Sequence, residues 1–382
     1  MNDATSILQV GGGEAVANTY NGKVTVLLGV GSTGSNSEDL VVQLNKAAGT
    51  TAITGDLEIN GGTVRNMFND QIASTSNLVI NQGQYDANGK NETIASVTMR
   101  GGNFRTSSAA AGGSTVTVTG DFEITGADDL TGSGDGVAAN SNTTLTIGGT
   151  LRMNGYAKGT IGATNSVMNV GGLEMTGTTL TFNASGNALM RLHGDVTTFA
   201  SSTMARLGNN TTTSSLQLNG TRTFTVADGT AGIDLSVSTA VVDSAAPVAV
   251  GSFIKAGPGI LQLEGAAQVN AYTGTTAVNE GSLVLFKSVG VNAIPAGALT
   301  FGDGLGGANA GKVIVRNSNQ IADANNVTIA SSGLLDLFTF NTSEQVNSLS
   351  GSGNVELGPG STLTVSGVPS TSFSAASPAR AA

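Results

Sequence analysis

The chain repeats a pattern in which a short alternating strand, a glycine turn and a second alternating strand follow one another. The clearest copies are TVTVTGDFEITG at Thr115–Gly126 and TLTIGGTLRMNG at Thr144–Gly155. Shorter versions are ITGDLEING at Ile53–Gly61 and VMNVGGLEMTG at Val167–Gly177. Repetition at a roughly fixed period is typical of a solenoid, in which each repeat buries its apolar side against its neighbours.

The spacing of the repeats favours a parallel β-helix over other all-β folds. The apolar residues that open a strand beside each glycine turn recur about every 23 residues and are Leu57, Leu78, Val97, Phe122, Leu151, Leu173 and Val196. A sandwich or an up-and-down barrel spaces its strands by about 8–12 residues, and its core usually takes more aromatic side chains than the 4% found here. We therefore predict an all-β parallel β-helix, or β-solenoid, of about 16 coils over the full length.

Alternating strands place one set of side chains in the core and the other set in solvent. The inward positions of two successive repeats are predicted to stack in ladders, with Val116, Val118, Phe122 and Ile124 on Leu145, Ile147, Leu151 and Met153. The charged residues that hold equivalent outward positions are Glu58, Glu123, Arg152 and Glu174. We expect these outward side chains to form one line of mixed charge along the surface.

The amino-acid composition limits which classes of protein and which binding partners are compatible with this chain. Hydrophobic residues make up 39% of the 382 residues and alternate with polar ones in many places, enough to bury a core, whereas charged residues make up only 11%. Ser, Thr and Asn fill the polar positions, which favours an extracellular surface. The net charge of −10 and the lack of a basic cluster argue against nucleic acid and anionic membranes as partners. Cysteine is absent, which excludes a disulfide framework and a thiolate metal site, and no apolar run reaches the roughly 18 residues of a transmembrane segment.

We divide the chain into an N-terminal cap or first coils (1–50), irregular repeats (51–252), a second series of repeats (253–367) and a flexible C-terminal tail (368–382). Within the first part, the acidic run before Leu40 suits an N-capped short helix over Leu40–Ala47. The alternation of Leu40, Val42 and Leu44 equally suits a strand. The segment Met1–Gln9 has neither the basic start nor the apolar stretch of a signal peptide.

The stretch Phe253–Leu285 carries a more specific set of motifs. A Lys-x-Gly-x-Gly turn begins at Lys255, an L-x-L strand at Leu261, a Y-T-G-x-T turn at Tyr272 and a closing G-x-L strand at Gly281. This combination resembles the autotransporter-associated β-strand repeat. The segments that continue the same pattern are NQIADANNVT at Asn319–Thr328, GLLDL at Gly333–Leu337 and SLSGSGNVEL at Ser348–Leu357.

The resemblance covers roughly Phe253–Gly367, about a third of the chain. It implies a right-handed β-helix passenger, exported through an outer-membrane β-barrel to the surface of a Gram-negative-type bacterium. Because the repeats of that family are structural, the resemblance implies no catalytic residue. Extracellular or cell-surface localisation is the expectation from both composition and resemblance.

Catalysis is the alternative, since β-helices also host polysaccharide lyases and glycoside hydrolases. Hydrolysis needs two or three carboxylates converging on a sugar, and the acidic pair Asp128-Asp129 lies in the glycine-rich loop Gly126–Ser141, which we interpret as a solvated turn. The single histidine, His193, is interpreted as a surface or stacking residue. A lyase needs bound calcium and a basic residue, for which the candidates are Arg100, Arg105, Arg152 and Arg191.

We predict no enzyme activity, no cofactor and no metal, with calcium in the loop Asp128–Asp135 as the alternative. The expected function is that of an extracellular structural or adhesive β-solenoid: a surface stalk, an adhesin passenger or a filament subunit. The expected partners are another copy of the chain, head to tail, and surface glycans or matrix. Open ends of a β-helix expose strand edges, and the residues predicted to join such ends are Val24, Val26, Leu28, Val355, Leu357, Leu363 and Val365.

Overall fold

The computed structural model describes residues 6–13, 15–27, 40–107, 113–125, 136–155, 157–162, 164–183, 186–208, 213–245, 247–265 and 268–367. These residues form β-strands and no helix, and nearly all strand pairs are parallel. The predicted all-β solenoid is therefore confirmed. The described residues make about 13 turns, fewer than the 16 expected.

The chain divides into two compact units, Met1–Met190 and Arg191–Ala382. The strands of the first unit are β1 (Ser6–Val10), β2 (Val24–Val26), β3 (Leu40–Leu44), β4 (Leu57–Asn66), β5 (Asn77–Asp86), β6 (Glu92–Ile94), β7 (Ser96–Met99), β8 (Asn103–Arg105), β9 (Ser114–Val118), β10 (Phe122–Ile124), β11 (Gly136–Ala139), β12 (Thr143–Asn154), β13 (Lys158–Ile161), β14 (Val167–Thr176) and β15 (Thr179–Phe182). Strand β16 (Leu189–Leu192) contains the boundary.

The second unit continues with shorter strands. They are β17 (Val196–Thr198), β18 (Ala205–Leu207), β19 (Ser215–Leu218), β20 (Thr221–Val226), β21 (Leu235–Val237), β22 (Ala240–Ala245), β23 (Val248–Ala249), β24 (Ser252–Ala256), β25 (Ile260–Gly265), β26 (Thr276–Val278), β27 (Gly281–Lys287), β28 (Ala298–Phe301), β29 (Gly311–Val315), β30 (Asn326–Ile329), β31 (Gly333–Leu337), β32 (Glu344–Val346), β33 (Ser348–Gly351), β34 (Asn354–Leu357) and β35 (Leu363–Val365).

In the first unit the strands stack in three columns of parallel pairs. One column runs β2, β4, β5, β7, β10, β12, β14, a second runs β1, β3, β4, β5, β8, β11, β13, β15, and a third runs β6, β9, β12, β14. The four long strands take part in two columns because each bends at its glycines. The register of β12 on β14 shifts between Ile147 and Thr150, where Gly148 and Gly149 lie. The glycine turn of the sequence repeat is therefore a corner within one continuous strand.

The predicted ladders are confirmed by register and burial. Val116 and Val118 pair with Leu145 and Ile147, and the pairs of the next strand are Phe122 with Leu151 and Ile124 with Met153. All eight side chains are at most 1% exposed. The residues that set the period also stand in one line of strand partners, namely Leu57, Leu78, Val97, Phe122, Leu151 and Leu173.

The second unit repeats the three-column plan with one departure. Its columns are β17, β20, β24, β26, β28, β30, β33, then β18, β21, β25, β27, β29, β31, β34, and a third column that is partly reduced to single bridges such as Ile294 with Ile321. The departure is an antiparallel hairpin of β22 and β23. Long turns explain the overestimated coil count, because Leu283 pairs with Val313, well over 23 residues away.

One sequence prediction about a short segment is wrong, and several others concern residues that the structure does not describe. The helix considered for Leu40–Ala47 is wrong, because Leu40–Leu44 forms β3, which pairs in parallel with β1 and β4. Its alternating side chains find core partners on both sides, and this tertiary pairing outweighs a weak capping signal. The loop containing Asp128 and Asp129, the residue Leu28 and the tail 368–382 lie outside the described residues.

Candidate functional site: uncovered ladder ends and buried polar corners

The C-terminal turn leaves three core ladders uncovered. Val355 and Leu357 of β34 continue the ladder of Leu335 and Leu337, which are fully buried. Leu357 itself is 49% exposed. In the next column Val365 of β35 follows the buried Val346 and is 45% exposed. These inward-facing side chains are exposed because no described residue stacks on them, so we call them the C-terminal ladder end.

The N-terminal turn shows a smaller version of the same feature. Leu8 of β1 pairs in line with Val42, which is 4% exposed, whereas Leu8 is 57% exposed. Val24 and Val26 of β2 pair with β4, and Val26 is already 8% exposed, so this part of the edge is largely covered. Leu8 and β2 form the N-terminal ladder end.

The residues predicted to join chain ends therefore lie on the first and last turns. Val24 and Val26 are on β2, and the strands of Val355, Leu357, Leu363 and Val365 are the last of their columns. Within the described residues, β2, β34 and β35 each pair with one strand only. Their joining to a second chain remains a prediction.

The outward charged positions form the predicted line. Register places Glu58, Glu123, Arg152 and Glu174 in one row of strand partners, with Val79 and Thr98 between the first two. Arg152 donates to Asp121 over 2.6 Å and to Glu174 over 2.9 Å. Its side chain is about one third exposed, so these ion pairs contribute little stability.

The side chains considered for catalysis do not converge. Arg100 donates to Asn81 over 3.0 Å and Arg191 donates to Gln217 over 2.8 Å, while Arg105 ends β8. In the part of the chain that the structure describes, no group of three or more His, Asp or Glu side chains is placed to hold a metal ion.

His193 lies beside amide and guanidinium groups. Its Nδ1 is 2.8 Å from the side-chain nitrogen of Asn219. Partial burial, together with the charges of Arg222 and Arg191, lowers the pKa of His193. The ring therefore stays neutral near neutral pH and accepts the Asn219 hydrogen bond, which matches the interpretation of a surface or stacking residue.

A buried polar arrangement that the sequence analysis missed lies at one corner of the first unit. The side-chain oxygen of Gln71 accepts a hydrogen bond from the backbone N–H of Lys46 over 2.8 Å. Glu92 Oε2 accepts from the backbone N–H groups of Gln71 and Ile72 over 2.8 and 3.1 Å, and from Asn66 over 2.7 Å. Three successive turns are thus joined by side chains that satisfy backbone groups. We call this set a corner cassette.

The second unit contains the same cassette. Gln320 accepts from the backbone N–H of Lys287 over 2.7 Å, and Glu344 accepts from the backbone N–H groups of Gln320 and Ile321 over 2.6 and 3.2 Å. Gln320 also donates to the carbonyl of Ser288 over 3.0 Å, as Gln71 does to Thr50. The sequence signal is a shared K-x-x-G-x-x-A-I at Lys46–Ile53 and Lys287–Ile294, followed by Q-I-A at 71–73 and 320–322.

The glutamates of the cassettes are nearly inaccessible, with 2% exposure for Glu92 and 3% for Glu344. Burial raises the pKa of each to about 7, against the opposing effect of the backbone hydrogen bonds. Burial in a low-dielectric core disfavours the charged carboxylate. Both glutamates accept hydrogen bonds from backbone N–H groups and thereby hold successive corners together.

The motif stretch Phe253–Leu285 is built around a second kind of buried charge. Lys255 is fully buried, and its Nζ donates to the carbonyl oxygens of Ala256, Gly257 and Glu280 over 3.0, 2.6 and 2.9 Å. Burial lowers the pKa of Lys255 to about 8. Tyr272 is buried against Phe253 and its hydroxyl is 2.7 Å from that of Thr276. The motif residues thus close corners and fill the core.

Comparison with known proteins points to the same stretch. The sequence model of the passenger-associated-transport repeat matches residues 253–285. Neither the curated proteins nor the solved structures gave a significant match. In the described part of the chain, no helix has the length and apolar character needed to cross a bilayer.

The matched repeat and the stacked parallel strands together fit a β-helix similar to that of autotransporter passengers. The resemblance stated from the sequence is confirmed over the repeat itself. The repeat indicates an extracellular or surface passenger domain.

Proposed function

We propose that the protein is a non-enzymatic structural β-solenoid at the surface of a Gram-negative-type bacterium, and that copies join end to end through their terminal strands. The observation that carries the proposal is the C-terminal ladder end, where Leu357 and Val365 are about half exposed although their ladder partners are buried. A solenoid normally needs a polar cap over such an end to remain soluble.

The geometry of the ends favours a second copy as the cover. An edge strand presents unpaired N–H and C=O groups that accept another strand. The last turn of the second unit offers parallel strands in three columns, and the first turn of the first unit offers parallel strands with Leu8 exposed. Contacts of this head-to-tail kind do not close on themselves and generate filaments.

Other observations support a structural role. The outward charges examined for catalysis are engaged in ion pairs and amide hydrogen bonds, as with Arg152 and Arg191. The buried glutamates and lysines satisfy backbone groups at corners. The alternative function is that of a carbohydrate-active enzyme. Incubation of the purified protein with polysaccharides, followed by measurement of the products, tests this alternative directly.

Substitution of Leu357 and Val365 by lysine is expected to abolish end-to-end assembly. Lysine on an edge strand opposes pairing because its ammonium must stay hydrated. We expect the wild-type chain to form filaments of uniform width in negative-stain electron microscopy as concentration rises, and the L357K/V365K variant to remain as single particles.

The matched control is Val289→Lys, because Val289 is 67% exposed in a turn away from the ladder ends. This variant should still form filaments, and circular dichroism should show unchanged β-structure in both variants. Single particles of the wild type at every concentration, or filaments in L357K/V365K, would contradict end-to-end assembly.

A further inference from the structure

Two phenylalanines and one arginine form a surface cluster on the second unit, and a third phenylalanine lies two residues before one of them in the same turn. The guanidinium carbon of Arg316 lies 3.9 Å from the ring centre of Phe286 and 5.4 Å from that of Phe340. Phe338 and Phe340 are 42% and 44% exposed, and Phe286 is half-buried. We call Phe286, Arg316, Phe338 and Phe340 the aromatic platform.

The platform is unusual in this chain, which has 12 Phe, 4 Tyr and no Trp. Several other rings stack in the core, as Tyr85 does on Phe104 and Phe224 on Phe253, whereas Phe68 and Phe199 are also about half exposed. Large rings that stay half exposed gain little for folding, because hydrophobic stabilisation depends on the area removed from water. Clustered aromatic and Arg side chains are instead typical of binding sites.

The turn that carries the exposed rings is held rigidly. Asp336 Oδ1 accepts hydrogen bonds from the backbone N–H groups of Phe338 and Thr339, both over 2.9 Å, and Asp336 Oδ2 accepts from the Thr339 hydroxyl over 2.6 Å. The Thr342 hydroxyl donates to the carbonyl of Val315 over 2.9 Å. The rings are therefore ordered before any ligand arrives, which lowers the entropic cost of binding.

Planar polar groups continue from the platform along the sheet. Arg316 Nη1 lies 3.4 Å from Gln262 Oε1, and Gln262 donates to Glu264 over 2.6 Å. Glu264 also pairs with Arg206 over 3.0 Å. Within the described residues Arg316 forms no ion pair with a carboxylate, so its positive charge is not balanced by a direct partner. The nearby carboxylate of Asp336 is engaged by the N–H and hydroxyl donors of its own turn.

We propose that the aromatic platform binds an acidic glycan. The C–H face of a pyranose ring suits the electron-rich face of Phe338 or Phe340, while a uronate or sialate carboxylate suits the guanidinium fork of Arg316. The residues of this binding site differ from those of the ladder ends, so glycan binding does not depend on end-to-end assembly.

The size of the platform favours a glycan over a second protein. A stable protein interface buries roughly 800 Å² on each partner, whereas the platform offers two exposed rings and one guanidinium. That area matches one or two sugar rings. The unbalanced positive charge selects for an acidic sugar among them.

The test uses the full-length chain carrying L357K/V365K, so that binding is measured without assembly. This protein is applied to a printed array of neutral glycans and of glycans that carry a uronate or a sialate. The acidic glycan that binds most tightly is then titrated calorimetrically, and its methyl ester is titrated in the same way. We expect Phe340→Ala to weaken binding at least tenfold. Arg316→Gln should lower the affinity for the acidic glycan at least tenfold and should lower the affinity for its methyl ester far less.

The control is Phe68→Ala, because Phe68 is a similarly exposed ring (40%) in the other unit. Its affinity should equal that of the parent, and thermal unfolding should confirm that all variants are folded. The proposal is overturned if no acidic glycan is retained, or if Phe340→Ala binds like the parent. It is also overturned if the platform variants change only self-association in sedimentation, which would make the platform a protein interface.

Discussion

Raising the pH from 5 to 8 is expected to lower the free energy of unfolding by about 2.5 kcal/mol for each of the two cassette glutamates, Glu92 and Glu344. Most proteins gain stability over part of this range because their carboxylates are better stabilised when charged. Here burial raises the pKa of both groups from 4.5 to about 7. The effect should be visible as a lower urea midpoint at pH 8 than at pH 5.

The sign follows from the protons that each state binds. Between pH 4.5 and 7 the folded state keeps the carboxyl proton of Glu92, whereas the unfolded chain has released it. Stability therefore falls as pH rises through this window, and the contribution is fully present only below the unfolded pKa. The carboxylate that forms above pH 7 retains its hydrogen bonds to Gln71, Ile72 and Asn66, so the fold persists at reduced stability.

Neighbouring groups modify this picture in known directions. Asp323 adds to the raised pKa of Glu344, and Glu92 in turn raises the pKa of Tyr85. His193 acts in the opposite sense, because burial and the charges of Arg222 and Arg191 lower its pKa, so that its contribution to stability rises with pH below its ordinary pKa. The acids whose pKa is lowered by hydrogen bonds, such as Asp121, titrate below the window.

Glutamine variants isolate the two groups. Glu92→Gln and Glu344→Gln mimic the protonated carboxyl, so each should reduce the stability difference between pH 5 and pH 8 by about 2.5 kcal/mol. The control is Glu123→Gln, which changes an outward position of β10 and should leave the difference unaltered. If both cassette variants keep the full pH dependence of the wild type, the buried glutamates do not cause it.

Two buried lysines are expected to make the free energy of unfolding depend on pH above pH 8 as well. Burial lowers the pKa of Lys255 and of Lys287 to about 8. Between pH 8 and 10.5 the unfolded chain binds more protons than the folded chain, so stability should rise again. Together the buried groups place a minimum of stability near pH 7–8.

Much of the fold follows from the repeat, because a strict period constrains register. The alternation of Val116, Val118, Phe122 and Ile124 fixed which side chains face inward, and the spacing to Leu145 and Leu151 fixed what they stack on. A parallel solenoid has few other ways to align equal repeats. The turn count was less accurate because long connections between turns carry no periodic signal.

The buried polar corners and the aromatic platform were harder to predict for a physical reason. Gln71, Glu92, Gln320 and Glu344 sit at corners, where hydrogen bonds to the backbone replace hydrophobic stacking, and a search for alternating apolar residues ignores them. Their signal was the similarity of Lys46–Ile53 to Lys287–Ile294, which a comparison of the two halves would reveal. The aromatic platform depends on residues far apart in sequence, so only the folded chain brings Phe286, Arg316 and Phe340 together.

Replacement of Gly83 by alanine is expected to destabilise the first unit by about 3 kcal/mol or more. Gly83 has a φ of +82°, and a Cβ there would overlap the carbonyl oxygen of Gly62 on the preceding turn. Gly102, with a φ of +74°, stacks in the same way on Gly83. The corner therefore needs glycine both for its left-handed backbone and for the close approach of successive turns.

Gly49→Ala separates these two requirements. Gly49 has a φ of +73°, but a Cβ there would meet nothing within 4 Å, so the variant should lose only the conformational term of about 1–2 kcal/mol. Urea unfolding of both variants, with hydrogen exchange at the amides of β4 and β5 as a local readout, measures the difference. Equal losses would show that the turns can move apart at the corner. A larger loss in Gly83→Ala would mean that the distance between turns, set by the parallel strand ladder, is what requires glycine there.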